Sequence, residues 1–163
     1  MSKFSKKFMQ LAIEEAKKAY LIDEVPVGAI VVKDDEVIGR GHNSVIKNNS
    51  VTCHAEINAI NEASKILGNY RLLNCEIYVT LEPCHMCVKA IIDARLDYLF
   101  FGAREPKSGS IESVDNFLEK EFLNHKVLFS GGHMESHSIE LLKKFFESRR
   151  KPKNYFSSSH IGQ

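Results

Sequence analysis

Two short runs carry groups that could do chemistry: His54-Ala55-Glu56 and Pro83-Cys84-His85-Met86-Cys87. Cysteines three apart at a helix start put both sulfurs on one side, and the positive end of the helix dipole favours the thiolate that a metal requires. The proline ahead of Cys84 marks the helix entrance. Two sulfurs and the imidazole of His54 favour zinc over magnesium or calcium, and three protein ligands leave one tetrahedral position for water. A metal so held lowers the pKa of water toward neutrality, and a carboxylate must then move the proton. Glu56, two residues past the histidine, is the candidate and is not expected to bind the metal.

The same residues have blander readings. A redox Cys-x-x-Cys pair needs an exposed reactive thiol and has no use for a His-x-Glu partner. A structural zinc needs a fourth ligand, for which Cys53, Cys75 and His85 are available. Cys53 adjoins His54, so the two cannot easily reach one ion together, and a small buried residue is expected there. His85, between the ligand cysteines, is expected to face outward or line the pocket, and Cys75, opening a strand, to lie in the core. Cysteines at only 53, 75, 84 and 87 do not make a secreted disulfide scaffold in 163 residues.

The elements that must position these groups are legible from periodicity. A first helix is expected from about Phe4 to Tyr20, then a hairpin of Val27 to Lys33 and Glu36 to His42 joined at Asp34-Asp35. A polar loop, Asn43 to Thr52, leads to a helix from His54 to Leu67 that Gly68 ends. Strands at Glu76 to Leu81, Tyr98 to Gly102 and Lys126 to Ser130 alternate with helices at Cys84 to Ala94 and Met134 to Arg149. Strand-helix-strand crossovers require parallel pairing, so we expect an α/β fold, a three-layer α/β/α sandwich with a five-stranded mixed sheet. If the two motif helices start at the same end of parallel crossovers, His54 can reach the cysteines from 30 residues upstream.

Composition sets the outer limits. With 44% hydrophobic and 26% charged residues and only 4 Pro and 9 Gly, the chain has enough apolar surface for one core and is neither collagen-like nor disordered throughout. Residues 1–153 are expected to form one domain, and 154–163 a loose tail. No run approaches the roughly 20 apolar residues of a membrane span, and the N-terminal residues carry no signal-like apolar segment. No membrane association is expected, and a cytoplasmic location is. The net charge is +1, yet residues 143–153 hold six Lys or Arg against one Glu, leaving a net −4 elsewhere. By itself such a cluster reads as a solvated helix end ahead of a polyanion footprint.

The run HAEINAI followed by YVTLEPCHMC resembles the zinc-dependent nucleoside and nucleobase deaminase superfamily, whose signature pairs H-x-E with P-C-x-x-C. EVPVGAIVVKDDEVIGRGHN, NYRL, FGAREPKSG, LNHKV and LLKKFFESRR resemble its bacterial branch acting on the wobble adenosine of a tRNA anticodon loop, and the likeness spans Phe8 to Arg150. The resemblance implies a cytidine deaminase-like fold, a homodimer with one Zn2+ per subunit, and tRNA as partner. It implies His54, Cys84 and Cys87 as ligands, Glu56 as the proton-transfer residue, and Asn43 and the Ala55 N–H against the base. Val25 and Pro26 would wall the pocket, Glu105 and Lys107 contact flanking nucleotides, and Phe145, Phe146, Arg149 and Arg150 grip the RNA. The basic C-terminal cluster then reads as phosphate affinity beside stacking aromatics.

The chain departs from the branch at Glu105, where aspartate is common, and at Ile111-Glu112-Ser113, which is bulkier and more acidic than the usual glycine-containing run. Phe100, Phe101 and the motif helices could serve a dimer interface or the core equally. Two rival functions share these motifs: a zinc deaminase of a free base or nucleotide such as guanine or cytosine, and a noncatalytic, zinc-stabilised RNA-binding module with four ligands.

Overall fold

The computed structural model describes residues 3–150. The expected tail, 154–163, and the basic residues beyond Arg150 lie outside them. The chain runs α1 (Lys6–Leu21), β1 (Gly28–Lys33), β2 (Glu36–His42), α2 (Ala55–Leu67), β3 (Cys75–Leu81), α3 (His85–Asp93), β4 (Tyr98–Ala103), a 3-10 turn (Phe117–Glu119), β5 (Leu128–Ser130) and α4 (Glu135–Arg150). The sheet order is β2-β1-β3-β4-β5, with β1 antiparallel to both neighbours and β3, β4 and β5 parallel. This is the expected five-stranded mixed sheet.

Alternation along the strands feeds two cores, as the period of two demands. Ala29, Val31, Ile77, Val79, Leu99 and Phe101 face Ala59 and Ala63 of α2 and Val88, Ile91 and Ile92 of α3. Ile30, Val32, Tyr78 and Phe100 face Phe8, Met9, Ala12 and Ile13 of α1. Phe100 and Phe101 therefore belong to opposite cores at 1% and 0% exposure, and neither is available to a subunit interface. Phe4 extends the second core by stacking on His133 at 3.9 Å between ring centroids.

Local signals set the turns. Asp34 and Asp35 both adopt positive φ (50° and 63°), the backbone that a two-residue hairpin turn needs. Gly68 ends α2 in the left-handed conformation at φ 63°. β5 is shorter than expected because the ladder with β4 begins at the Tyr98–Leu128 pair. The segment between β4 and β5, given no element by periodicity, is anchored by buried Ile111 and Val127.

One contact decides where the site lies. A Cβ at Gly41 would fall 2.3 Å from the Ala55 carbonyl oxygen, and one at Gly39 would fall 2.3 Å from that of Ala59. With Ala55, Ala59 and Ala63 on the facing side of the helix, α2 rests on β2 almost backbone to backbone. On the other face, buried Glu15 ties α1 to the end of β2, accepting from Lys18 Nζ at 2.7 Å and pairing with His42 Nδ1 at 3.0 Å.

Gly41→Ala should lower stability by about 1–3 kcal/mol through overpacking, read as a lower denaturation midpoint and a weaker hold on metal. Burial alone would raise the Glu15 carboxyl, but its bonds to Lys18 and His42 hold it below the usual value. That contribution is complete above the ordinary carboxylate range and fades as pH falls through the lowered folded-state value. Glu15→Gln should therefore cost stability at pH 7 and flatten the decline seen on acidification, measured by denaturation midpoints between pH 7 and 3.

Candidate active site

Because β2 and β3 are both antiparallel to β1, they point the same way, and the helices that follow them begin at one end of the sheet. His54 is the N-cap of α2 and Cys84 the N-cap of α3, both with extended backbone (φ −75° and −77°). Cys87 follows one turn into α3 and is fully buried. Nδ1 of His54 lies 3.4 Å from Cys87 Sγ and 3.7 Å from Cys84 Sγ. The ligand atoms of the three residues all lie within 4.8 Å of one another.

This donor set fits zinc: two soft sulfurs and a borderline imidazole nitrogen, converging at a spacing that one tetrahedral ion can span. Among the described residues the group closes at three. The fourth-ligand candidates are engaged elsewhere. Cys75 sits at the opposite end of β3 with Sγ 3.5 Å from the Leu73 carbonyl, and Cys53 Sγ is 3.6 Å from Asn48 Nδ2. His85 faces outward, 2.8 Å from Asp115 and edge-on to Phe117. A four-ligand structural centre is thus not formed.

Thiol electrostatics follow from this crowding. The Cys84 sulfur, bonded by the Cys87 thiol and by His54, is drawn down to about 3. The bond to Cys84 and burial drive Cys87 the opposite way. A cation bound at this point would take the place of the thiol protons. Glu56, 4% exposed, stands beside the Cys87 sulfur, and burial raises its carboxyl. It stays outside the ligand group, which leaves its carboxylate available for proton transfer.

A cavity of about 420 Å³ opens over the group, lined by Val25, Val27, Asn43, His54, Glu56 and Cys84 among others. That volume suits a purine nucleoside, and its wall is largely apolar with a few convergent polar groups. Asn43 is fixed by backbone bonding to Val27 and accepts the Ala55 N–H on Oδ1 at 2.8 Å. The Ala55 N–H expected to face the base is thus already donated to Asn43. Pro26 is buried and does not line the cavity, where Val27 stands with Val25.

Glu24, Ile46, Glu82 and Ser108 also line the cavity, and the sequence reading did not find them. Glu24 is buried and accepts the Lys47 N–H at 2.8 Å, which holds the loop after β2 against the turn before β1. Adjacency to Val25 was the available signal for Glu24, and adjacency to Pro83 for Glu82.

The expected RNA-gripping residues divide. Phe145 is 4% exposed and meets Tyr20 edge-on, while Arg149 stacks over Phe145 and donates to the Asp23 carbonyl. These two fasten α4 to the end of α1. Phe146, Arg150 and Lys107 are exposed, and Glu105 is half-buried with Oε1 accepting the Lys107 N–H at 2.9 Å.

Residues 2–103 match the cytidine and deoxycytidylate deaminase zinc-binding region, and with the three-ligand site and adjacent carboxylate they define a zinc-dependent deaminase. The tRNA-specific adenosine deaminase of Streptococcus pyogenes serotype M1 is 42% identical over 146 residues, 90% of this chain and 85% of that one. That of Aquifex aeolicus is 45% identical over 143 residues, 88% of this chain and 94% of that one. A structure from studies of A-to-I editing by tRNA:A34 deaminases at the wobble position of transfer RNA superposes with a TM-score of 0.82 at 44% identity, covering 84% of this chain and 99% of that one. Guanine deaminase from Bacillus subtilis superposes less well, at 0.61 and 29% identity over 98% and 99%. The chain belongs to the tRNA-specific adenosine deaminase family.

Cys84→Ala and Cys87→Ala should each lose bound zinc, as elemental analysis of purified protein would read. Glu56→Gln should keep zinc and lower turnover by about 100-fold or more, as expected for removing a general acid-base group.

Proposed function

We propose that this protein hydrolytically deaminates the wobble adenosine of a tRNA anticodon loop to inosine, releasing ammonia. The observation that carries this reading is the non-ligating, buried Glu56 beside a three-ligand group at the floor of a purine-sized cavity. Identity of 42–45% over about nine-tenths of the chain to tRNA-specific adenosine deaminases supports the substrate.

When bound, zinc supplies Lewis acidity that makes a water molecule nucleophilic near neutral pH. Glu56 accepts a proton from the attacking water and delivers it to N1 of adenine as the oxygen bonds to C6. Glu56 then carries the remaining hydroxyl proton to the amino group, and the C6–N bond breaks to release ammonia and leave the C6 carbonyl. Asn43, held by Ala55, presents its amide to the base, while Val25 and Val27 pack against it. Because the amino group must reach the cavity floor, the adenosine has to leave its stack, as an unpaired loop nucleotide can.

Exposed Lys107, Phe146 and Arg150, with half-buried Glu105, are the groups we assign to the flanking RNA, through phosphate attraction and stacking. Phe145 and Arg149 act there by holding α4 in place. A homodimer and a cytoplasmic location complete the reading; among the described residues, no helix is long and apolar enough to cross a membrane.

Incubating the zinc-loaded protein with an anticodon stem-loop RNA bearing the wobble adenosine should yield inosine, read as guanosine on sequencing, with one ammonia per conversion. Free adenine, guanine and cytosine should remain unchanged. Deamination of a free base without conversion of the RNA would overturn the choice of substrate.

A further inference from the structure

Glu82 is buried to 2% exposure, yet among the described residues none of the groups bonded to it is a cation. Its charge is met by backbone dipoles instead. Oε1 accepts the N–H of Glu105 at 3.1 Å and the Ser113 hydroxyl. Oε2 accepts three successive N–H groups, those of Ile111, Glu112 and Ser113, at 3.1, 2.8 and 3.0 Å. Consecutive amides turned onto one anion form a nest, and here the anion is the protein's own side chain.

The loop from Arg104 to Ser113 wraps this carboxylate closely. A Cβ at Gly109 would lie 2.4–2.6 Å from the Glu82 carboxylate atoms, so only glycine lets the chain pass. Ser110 adds a second tie to the same stretch, donating both its N–H and its hydroxyl to the Pro83 carbonyl, at 2.9 and 3.2 Å. The loop carries Ser108, which lines the cavity, and Lys107 and Glu105 beside it. Glu82 lies two residues ahead of the ligand Cys84, so one rigid segment joins the loop to the start of α3.

We propose that Glu82 is a positioning residue for substrate binding: its carboxylate is the template on which the 104–113 loop is held against the mouth of the catalytic cavity. This rests on the RNA reading above. A neutral acceptor cannot replace it, because an amide offers one oxygen where two are occupied, and its NH2 would confront donors already pointing inward. The acidic, bulky Ile111-Glu112-Ser113 run fits this design. Ile111 is buried at 2%, and Glu112 turns its N–H inward while its carboxylate pairs outward with Arg104 at 3.0 Å.

The test uses zinc-loaded protein and the anticodon stem-loop RNA. In the wild type, amides of Glu105 and of Ile111 to Ser113 should exchange hydrogen at least about tenfold more slowly than that of exposed Ser108 between them. In Glu82→Gln that protection should be lost while zinc content and α2 protection persist. Its KM for the RNA should rise about tenfold or more, with kcat within about threefold; Glu82→Asp and Ser113→Ala should fall between. Fast exchange of the four amides in the wild type would overturn the proposal even if Glu82→Gln does not fold. So would a zinc-replete Glu82→Gln with unchanged KM, or one whose kcat alone collapses. If the wild type fails to convert the RNA, the functional reading fails, and the exchange measurements still decide whether Glu82 holds the loop.

Discussion

Everything chemical in this protein depends on two helices beginning at the same end of one sheet, close enough for a histidine on one to meet two cysteines on the other. Parallel direction of β2 and β3, with β1 antiparallel between them, fixes that geometry. The glycine-lined face of β2 then draws α2 down until Ala55 donates to Asn43 and His54 Nδ1 stands 3.4 Å from Cys87. The ligand group is a product of topology first and of side-chain choice second. A shift of α2 along β2 by a fraction of a turn would separate the donors beyond the reach of one ion.

Around this centre the protein buries carboxylates and treats each differently. Glu15 meets Lys18 and His42, so it works as a strut between α1 and β2. Glu82 is satisfied by backbone amides and holds a loop. Glu56 has the least compensation, and burial pushes its carboxyl upward. The contrast is physically sensible: a group that must exchange protons cannot be pinned by strong donors, whereas groups that only hold structure should be. Environment, more than residue type, separates the roles.

Much of this was legible in the sequence, because it was encoded locally. Alternation marked the strands, the Asp34-Asp35 pair marked the hairpin, and Gly68 marked the end of α2. His-x-Glu and Cys-x-x-Cys advertised the centre because their spacing is short. What stayed hidden was carried by distant partners. Glu82 engages amides 23 to 31 residues away, and a backbone N–H has no letter in the sequence. Phe145 and Phe146 are adjacent and alike, yet one is buried against Tyr20 and the other is 44% exposed, a distinction set by where α4 lands. Phe100 and Phe101 read as a buried strand, and only the layered packing showed that they serve different cores.

The seam between β2 and α2 has a wider consequence. Where two backbones nearly touch, no side chain can be enlarged and little can be trimmed, so the floor of the cavity has scarcely any room to drift in evolution. Novelty in what such an enzyme accepts must then arise at the rim, chiefly from the segment after β4, since the start of the segment after β2 is itself bonded to α2 through Asn43 and Ser44.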